Sequence, residues 1–174
     1  MIKINRISNL TCLLFLVPAL GHTQTCNNSI IETTPTAQFM DNTDGTVTDT
    51  KTGLIWKRCS EGQQWNGSSC ANSPSNYNWK DALLQAEKSR FGDHSDWRLP
   101  NIKELHSIVE TRCYDPAINL AVFPNTSASS IVWSSSPVAY ANSAWMVYFN
   151  SGYGDHGWDY EGNSLQVRLV RSGQ

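Results

Sequence analysis

The run Asp96-Trp97-Arg98-Leu99-Pro100-Asn101-Ile102-Lys103-Glu104-Leu105 constrains the fold more than any other stretch of this chain. Pro100 fixes its own φ, turns Leu99 away from the helical region and cannot sit inside a helix, so the chain must turn there and a new helix must begin just beyond. Asn101 has the residue type of an N-cap, and the apolar positions Ile102, Leu105, Ile108 and Val109 line one face of the helix it would open. No catalytic motif lies in this run, so it speaks to architecture and not to activity.

The N-terminus carries Lys3 and Arg6, then the apolar run from Leu10 to Leu20, then small residues at Ala19 and Gly21. This is the pattern of a secretory leader, expected over residues 1–24. The apolar run is too short to span a bilayer comfortably, which disfavours an uncleaved anchor. Gln24-Thr25 before Cys26 is not the small-residue context of a lipidated cysteine. Losing Lys3 and Arg6 would make a chain of formal net charge −2 more acidic still. With no Lys/Arg-rich run, nucleic-acid binding is excluded as an expectation. The remaining length suits one domain with a core of its own.

Of the 5 cysteines, Cys12 falls in the leader and Cys26, Cys59, Cys70 and Cys113 remain. An even set in an exported chain predicts two disulfides, for which three pairings exist. The segment from Cys59 to Cys70 is a polar loop that its own bridge would close, so Cys59–Cys70 and Cys26–Cys113 are the expected pairs. No CxxC or paired-His spacing accompanies them, so zinc is disfavoured.

Residues 25–38 are polar and contain Thr and Pro, an N-terminal arm tied down through Cys26, and the domain proper is expected over 39–174. Asp44-Gly45 reads as a turn between short β-prone runs, and Asp49 to Gly53 as a second turn before Leu54-Ile55-Trp56, together a β-meander. The acidic spacing invites calcium, but Thr43 and Gly45 stand where an EF-hand loop wants oxygen ligands, so turn chemistry is the better account. From Asn78, a candidate cap, Trp79, Ala82, Leu83, Ala86 and Arg90 recur at helical steps and predict about three turns of amphipathic helix. Ile131–Ser136, Ala144–Phe149 and Leu165–Arg171 read as strands, the last alternating apolar and basic residues. Strands, two helices, then strands make an α+β fold.

Several of these blocks, taken in order, resemble the Lcl C-terminal domain family, named for a Legionella collagen-like adhesin. They are Asp44-Gly45-Thr46-Val47-Thr48-Asp49 with Thr52-Gly53-Leu54-Ile55-Trp56, Trp79 with Ala82, Asp96-Trp97-Arg98-Leu99-Pro100-Asn101 with Glu104-Leu105, Trp133-Ser134-Ser135-Ser136, Ala144-Trp145 and Val167-Arg168-Leu169-Val170-Arg171. The resemblance implies a C-type-lectin-like fold, in which two helices flank short twisted antiparallel strands. It also implies an exported protein of the periplasm, cell surface or exterior, with a binding role in adhesion or biofilm contexts. The name-giving adhesin binds sulfated glycosaminoglycans and carries a collagen-like stalk. This chain has no Gly-X-Y repeat, and its acidic balance argues for an extracellular binding domain rather than a polyanion receptor. The partner is expected to be an extracellular glycan, with a surface protein of an envelope assembly as the alternative.

Trp56, Trp79, Trp97, Trp133 and Trp145 are expected in the core, where large aromatics of such motifs usually lie. Arg98 and Glu104 are expected to pair and hold the turn between the helices, and Asp96 to accept backbone hydrogen bonds there. The ligand candidates fall in 150–163, polar, Gly-rich and aromatic without periodicity. Tyr153, Trp158 and Tyr160 could stack on sugar faces, and Asp155, His156, Asp159, Glu161 and Asn163 could bind hydroxyls or a calcium ion. The competing account is a long solvated hairpin loop. Trp65 and Asn66 form a weaker second candidate. The lectin-type Glu-Pro-Asn and Trp-Asn-Asp calcium signatures are missing, so no cofactor is expected. His94, His106 and His156 lack ligand-spaced partners, and Ser134-Ser135-Ser136 lacks the glycines of a nucleophile elbow. A distantly similar fold houses formylglycine-generating enzymes, whose cysteines would have to be matched here by residues expected in bridges. A non-catalytic protein is therefore the expectation.

Overall fold

The computed structural model describes residues 23–139, 143–158 and 163–173, so nearly all of the expected leader lies outside them. The elements in chain order are β1 (Thr25–Cys26), β2 (Phe39–Asp41), β3 (Thr46–Asp49), β4 (Leu54–Lys57), β5 (Gln64–Trp65), β6 (Cys70–Ala71), β7 (Asn76–Tyr77), α1 (Trp79–Lys88), α2 (Ile102–His106), β8 (Cys113–Tyr114), β9 (Ile131–Pro137), β10 (Ser143–Tyr148), β11 (Tyr153–Trp158), β12 (Leu165–Gln166) and β13 (Val170–Ser172). The fold is α+β, mostly sheet with few helices. One sheet has the order β11-β10-β9-β12-β7 and a second the order β13-β4-β3-β2, with two-stranded ribbons β1-β8 and β5-β6 beside them.

The β2–β3 turn forms because Asp44 Oδ1 accepts from Thr46 N at 2.9 Å and Gly45 takes a φ of 90°, which side chains resist. Gly45 is also the seat of Trp65, since a Cβ there would lie 2.8 Å from the indole. Asn78 caps α1 by accepting from Asp81 N at 2.8 Å, and Ala82 and Ala86 face the core. Leu83, expected on that face, is half outside it at 38 % exposure, and α1 ends at Lys88, short of Arg90. Asn101 and Glu104 form a complete capping box at α2. That helix is a single turn, shorter than its apolar stripe promised. Past it the turn tightens: Ser107 Oγ donates to the Glu104 carbonyl at 2.7 Å, its N–H is shared by the Lys103 and Glu104 carbonyls, and Val109 N donates to the His106 carbonyl at 3.1 Å. Ile108 and Val109 still enter the core, but from the chain beyond the helix.

Two apolar clusters hold the sheets. One gathers Phe39, Val47, Trp56, Leu105, Ile118, Phe123, Val132 and Phe149, the other Ala82, Trp97, Leu99, Trp133, Met146, Val167 and Leu169. Trp56, Trp97 and Trp133 are buried, whereas Trp79 and Trp145 are half-buried at cluster margins or the sheet surface.

The expected single strand over Leu165–Arg171 is broken. β12 joins β9 and β7, β13 joins β4, and residues 167–169 carry the chain from one sheet to the other. The alternation does not send its basic residues to solvent, because Arg168 is 1 % exposed. Its guanidinium donates to the carbonyls of Lys57 and Arg58, to Thr126 Oγ1 at 3.0 Å and to Ser60 Oγ at 3.3 Å, and lies 5.0 Å over the Phe123 ring. These acceptors compensate the burial of the charge and pin the crossover. Burial pushes the Arg168 group down to about 9, so it stays cationic at neutral pH.

Disulfides join Cys26 to Cys113 and Cys59 to Cys70. The first lies in the β1–β8 ribbon and anchors the N-terminal arm. Further along, the Glu110 carboxylate accepts from Thr34 N at 2.8 Å and Thr33 N at 3.1 Å.

Candidate functional site

The 150–163 segment is not one long loop. Residues Tyr153–Trp158 form β11, paired in register with β10: Tyr153 opposite Tyr148, Asp155 opposite Met146, His156 opposite Trp145 and Trp158 opposite Ser143. The run reads as loop because Gly, Asp and His are poor strand formers, yet the apolar strand β10 supplies the ladder that orders it. β11 is the outermost strand of its sheet, with no strand on its other edge among the described residues.

Strand alternation divides the candidates. Tyr153 and Asp155 lie on one face, Gly154 and His156 on the other. Tyr153 is 64 % exposed, and the Asp155 side chain is 41 % exposed. Asp155 Oδ1 accepts from His156 N at 2.8 Å and lies 3.2 Å from His156 Nδ1. The His156 ring stands edge-on to Trp145 with centroids 5.8 Å apart. Gly154 lies against His106, where a Cβ would come 2.4 Å from Nε2, and burial holds the His106 imidazole below its ordinary value. The structure thus places Tyr153 with Asp155 on one face of the edge strand and His156 with Trp145 on the other. Trp158 is on the same strand by its backbone, Asn163 is exposed beyond it, and Asp159, Tyr160 and Glu161 lie outside the described residues.

The second candidate lies in the loop that the Cys59–Cys70 bridge closes. Trp65 is held between Gly45 and the Arg58 guanidinium, 4.3 Å from its ring centroid, and Asn66 Oδ1 accepts from Ser68 N and Ser69 N within its own turn. Arg98 and Glu104 form a bidentate pair at 2.7 and 2.8 Å. The hydrogen bond from Arg98 holds the Glu104 carboxyl below the usual range and raises Arg98 in turn. Asp96 departs from expectation: its main partner is Arg171 of β13, whose Nε donates to Oδ1 at 2.9 Å and lowers its pKa. Asp41 and Asp44 each accept a local backbone N–H, from Thr43 and Thr46, as turn residues do. Among the described residues no group of three His, Cys, Asp or Glu is placed to hold a metal ion. No helix among them is long and apolar enough to cross a membrane.

One recess escaped the sequence reading. Asn42, Asp44, Thr48, His94, Trp97 and Arg171 border a cavity of about 210 Å³ on the face of the four-stranded sheet that points away from the Trp56 cluster. Its only sequence signal is the pair Thr46 and Thr48, hydroxyls at alternate positions of a strand whose Val47 faces the core.

The model of the Lcl C-terminal domain family matches residues 45–171. No curated protein matches the chain.

Proposed function

The chain belongs to the Lcl C-terminal domain family, and from that premise we propose that it is an exported, adhesin-like binding domain of C-type-lectin-like fold that recognises glycans without catalysis. Two disulfides in a chain of this size accord with an oxidising compartment. The observation that carries the glycan reading is Tyr153, 64 % exposed on an edge strand beside the Asp155 carboxylate. An exposed aromatic face offers a stacking surface to the C–H face of a sugar, and a neighbouring carboxylate accepts from its hydroxyls. Trp145 and His156 extend the rim on the other side of the strand.

Binding of immobilised polysaccharides by the oxidised protein, followed by interferometry in calcium and in chelator, tests this. Tyr153→Ala is expected to weaken binding by about tenfold, the worth of one stacking contact, with the unfolding midpoint unchanged. Binding that is indifferent to Tyr153→Ala and Asp155→Asn would overturn the placement of the site.

The outer edge of β11, which carries no further strand among the described residues, favours a second reading, in which a segment of a surface or envelope protein adds to the sheet as a further strand. His156→Pro, which removes a backbone donor that does not serve the β10 ladder, would abolish such pairing.

A further inference from the structure

We infer that the recess between the four-stranded sheet and the turn before Pro100 is a second ligand site, shaped for one ring of a neutral sugar. Arg171 is the primary observation. Its side chain is 8 % exposed, yet its only hydrogen bond among the described residues is from Nε to Asp96 Oδ1. Nη1 and Nη2 hold no protein acceptor among the described residues, and Arg171 borders the recess, so their N–H donors are open to an oxygen acceptor that enters there.

The rest of the lining is preorganised and mixed in character. Asn42 Nδ2 donates to Thr46 Oγ1 at 2.9 Å and Thr48 Oγ1 at 3.1 Å, which fixes the amide and both hydroxyls before any ligand arrives. Asp44 Oδ1 is committed to Thr46 N and Oγ1 at 2.9 and 2.6 Å, which leaves Oδ2 as an acceptor. Trp97 is 3 % exposed and spends its indole N–H on the Phe91 carbonyl at 3.0 Å, so its carbon edge forms the apolar wall. His94 is exposed at the rim.

Charge decides the ligand class. The Arg171 cation is already neutralised by Asp96, and Asp44 adds a further negative charge, so a carboxylate or sulfate entering the recess would meet net repulsion. A hydroxyl is the group that accepts from a guanidinium and donates to a carboxylate at once. The cavity is smaller than the range of drug-sized pockets, which limits it to a single ring and to weak affinity. This inference takes its ligand class from the glycan reading, but its site is independent of the β11 rim.

The test is a 1H–15N NMR titration of the oxidised protein with the methyl glycosides of glucose, galactose and mannose, with glucuronate as the charged arm. Saturable shifts of the amides from Asn42 to Thr48 and from His94 to Trp97 are expected with at least one neutral sugar, and weaker shifts with glucuronate. Asp44→Asn keeps the Oδ1 acceptor for Thr46 and replaces Oδ2 with a donor; Thr48→Val removes a hydroxyl at constant shape. Each should weaken the affinity about tenfold while the spectrum stays folded. No shift in these amides with any neutral sugar, or tighter binding of glucuronate, overturns the inference. Shifts confined to Tyr153–Trp158 overturn it while supporting the rim as the glycan site.

Discussion

Beyond its disulfide, the N-terminal arm is tied down by the Glu110 carboxylate, so Glu110→Gln should loosen it measurably. Glu110 is 3 % exposed and accepts four hydrogen bonds: from Thr33 N at 3.1 Å, from Thr34 N and Oγ1 at 2.8 and 2.9 Å, and from Arg112 N at 3.2 Å. Glutamine has nearly the same shape but replaces one oxygen with an amino group. Whichever way the amide turns, at least one backbone N–H, of Thr33, Thr34 or Arg112, then faces another N–H. Leaving one such donor unpaired costs about 1–3 kcal/mol, and the remaining bonds lose their charge assistance, for a total of about 2–4 kcal/mol. The acid limb should change with it. Burial raises the Glu110 pKa, but the hydrogen bonds from Thr34, Thr33 and Arg112 outweigh it and hold the carboxyl below its ordinary value. A carboxyl depressed in the folded state stabilises above its unfolded pKa, and that stability is lost as pH falls through the folded value. Urea unfolding of both proteins at neutral pH and in acid checks both points. A difference below about 0.5 kcal/mol at neutral pH, or an unchanged acid limb in the variant, would refute the argument.

Three further outcomes follow from particular contacts. Arg168→Met should cost about 3 kcal/mol or more in urea unfolding, because the buried Lys57 and Arg58 carbonyls lose their donor. Gly45→Ala should lower the thermal midpoint and quench the β5–β6 ribbon in amide exchange, through a φ of 90° and a clash with Trp65, together about 1–3 kcal/mol. Removing the Cys26–Cys113 bridge, which closes a separation of 87 residues, should destabilise by about 4.6 kcal/mol against about 2.8 kcal/mol for Cys59–Cys70 with its separation of 11, measured by denaturation of the paired Cys→Ala variants.

What could be read from the chain alone was what is written locally. The caps at Asn78 and Asn101 and the turn at Asp44 are each a side chain bonded to a backbone N–H two or three residues away, so the residue types announce them. The break at 167–169 could not be read that way. Arg168 is buried because its acceptors come from Lys57, Arg58, Ser60 and Thr126, remote positions that only the folded chain assembles. Likewise the glycines of 152–157 masked β11, whose order comes from pairing with Val147 and its neighbours. Tyr153, Asp155 and His156 were visible as candidates by residue type, but their division between two faces was not. The recess at Arg171 was invisible, since Asn42, His94 and Arg171 share no sequence neighbourhood.

A glycan-array screen of the oxidised protein beside a Tyr153→Ala, Asp155→Asn double variant, with calcium and with chelator, goes to the centre of this account. Selective binding to a set of related glycans by the native protein, lost in a variant that unfolds at the same midpoint, is the predicted result. A folded native protein that binds no glycan on the array would contradict glycan recognition and leave the free edge of β11, and a protein partner, as the function of the domain.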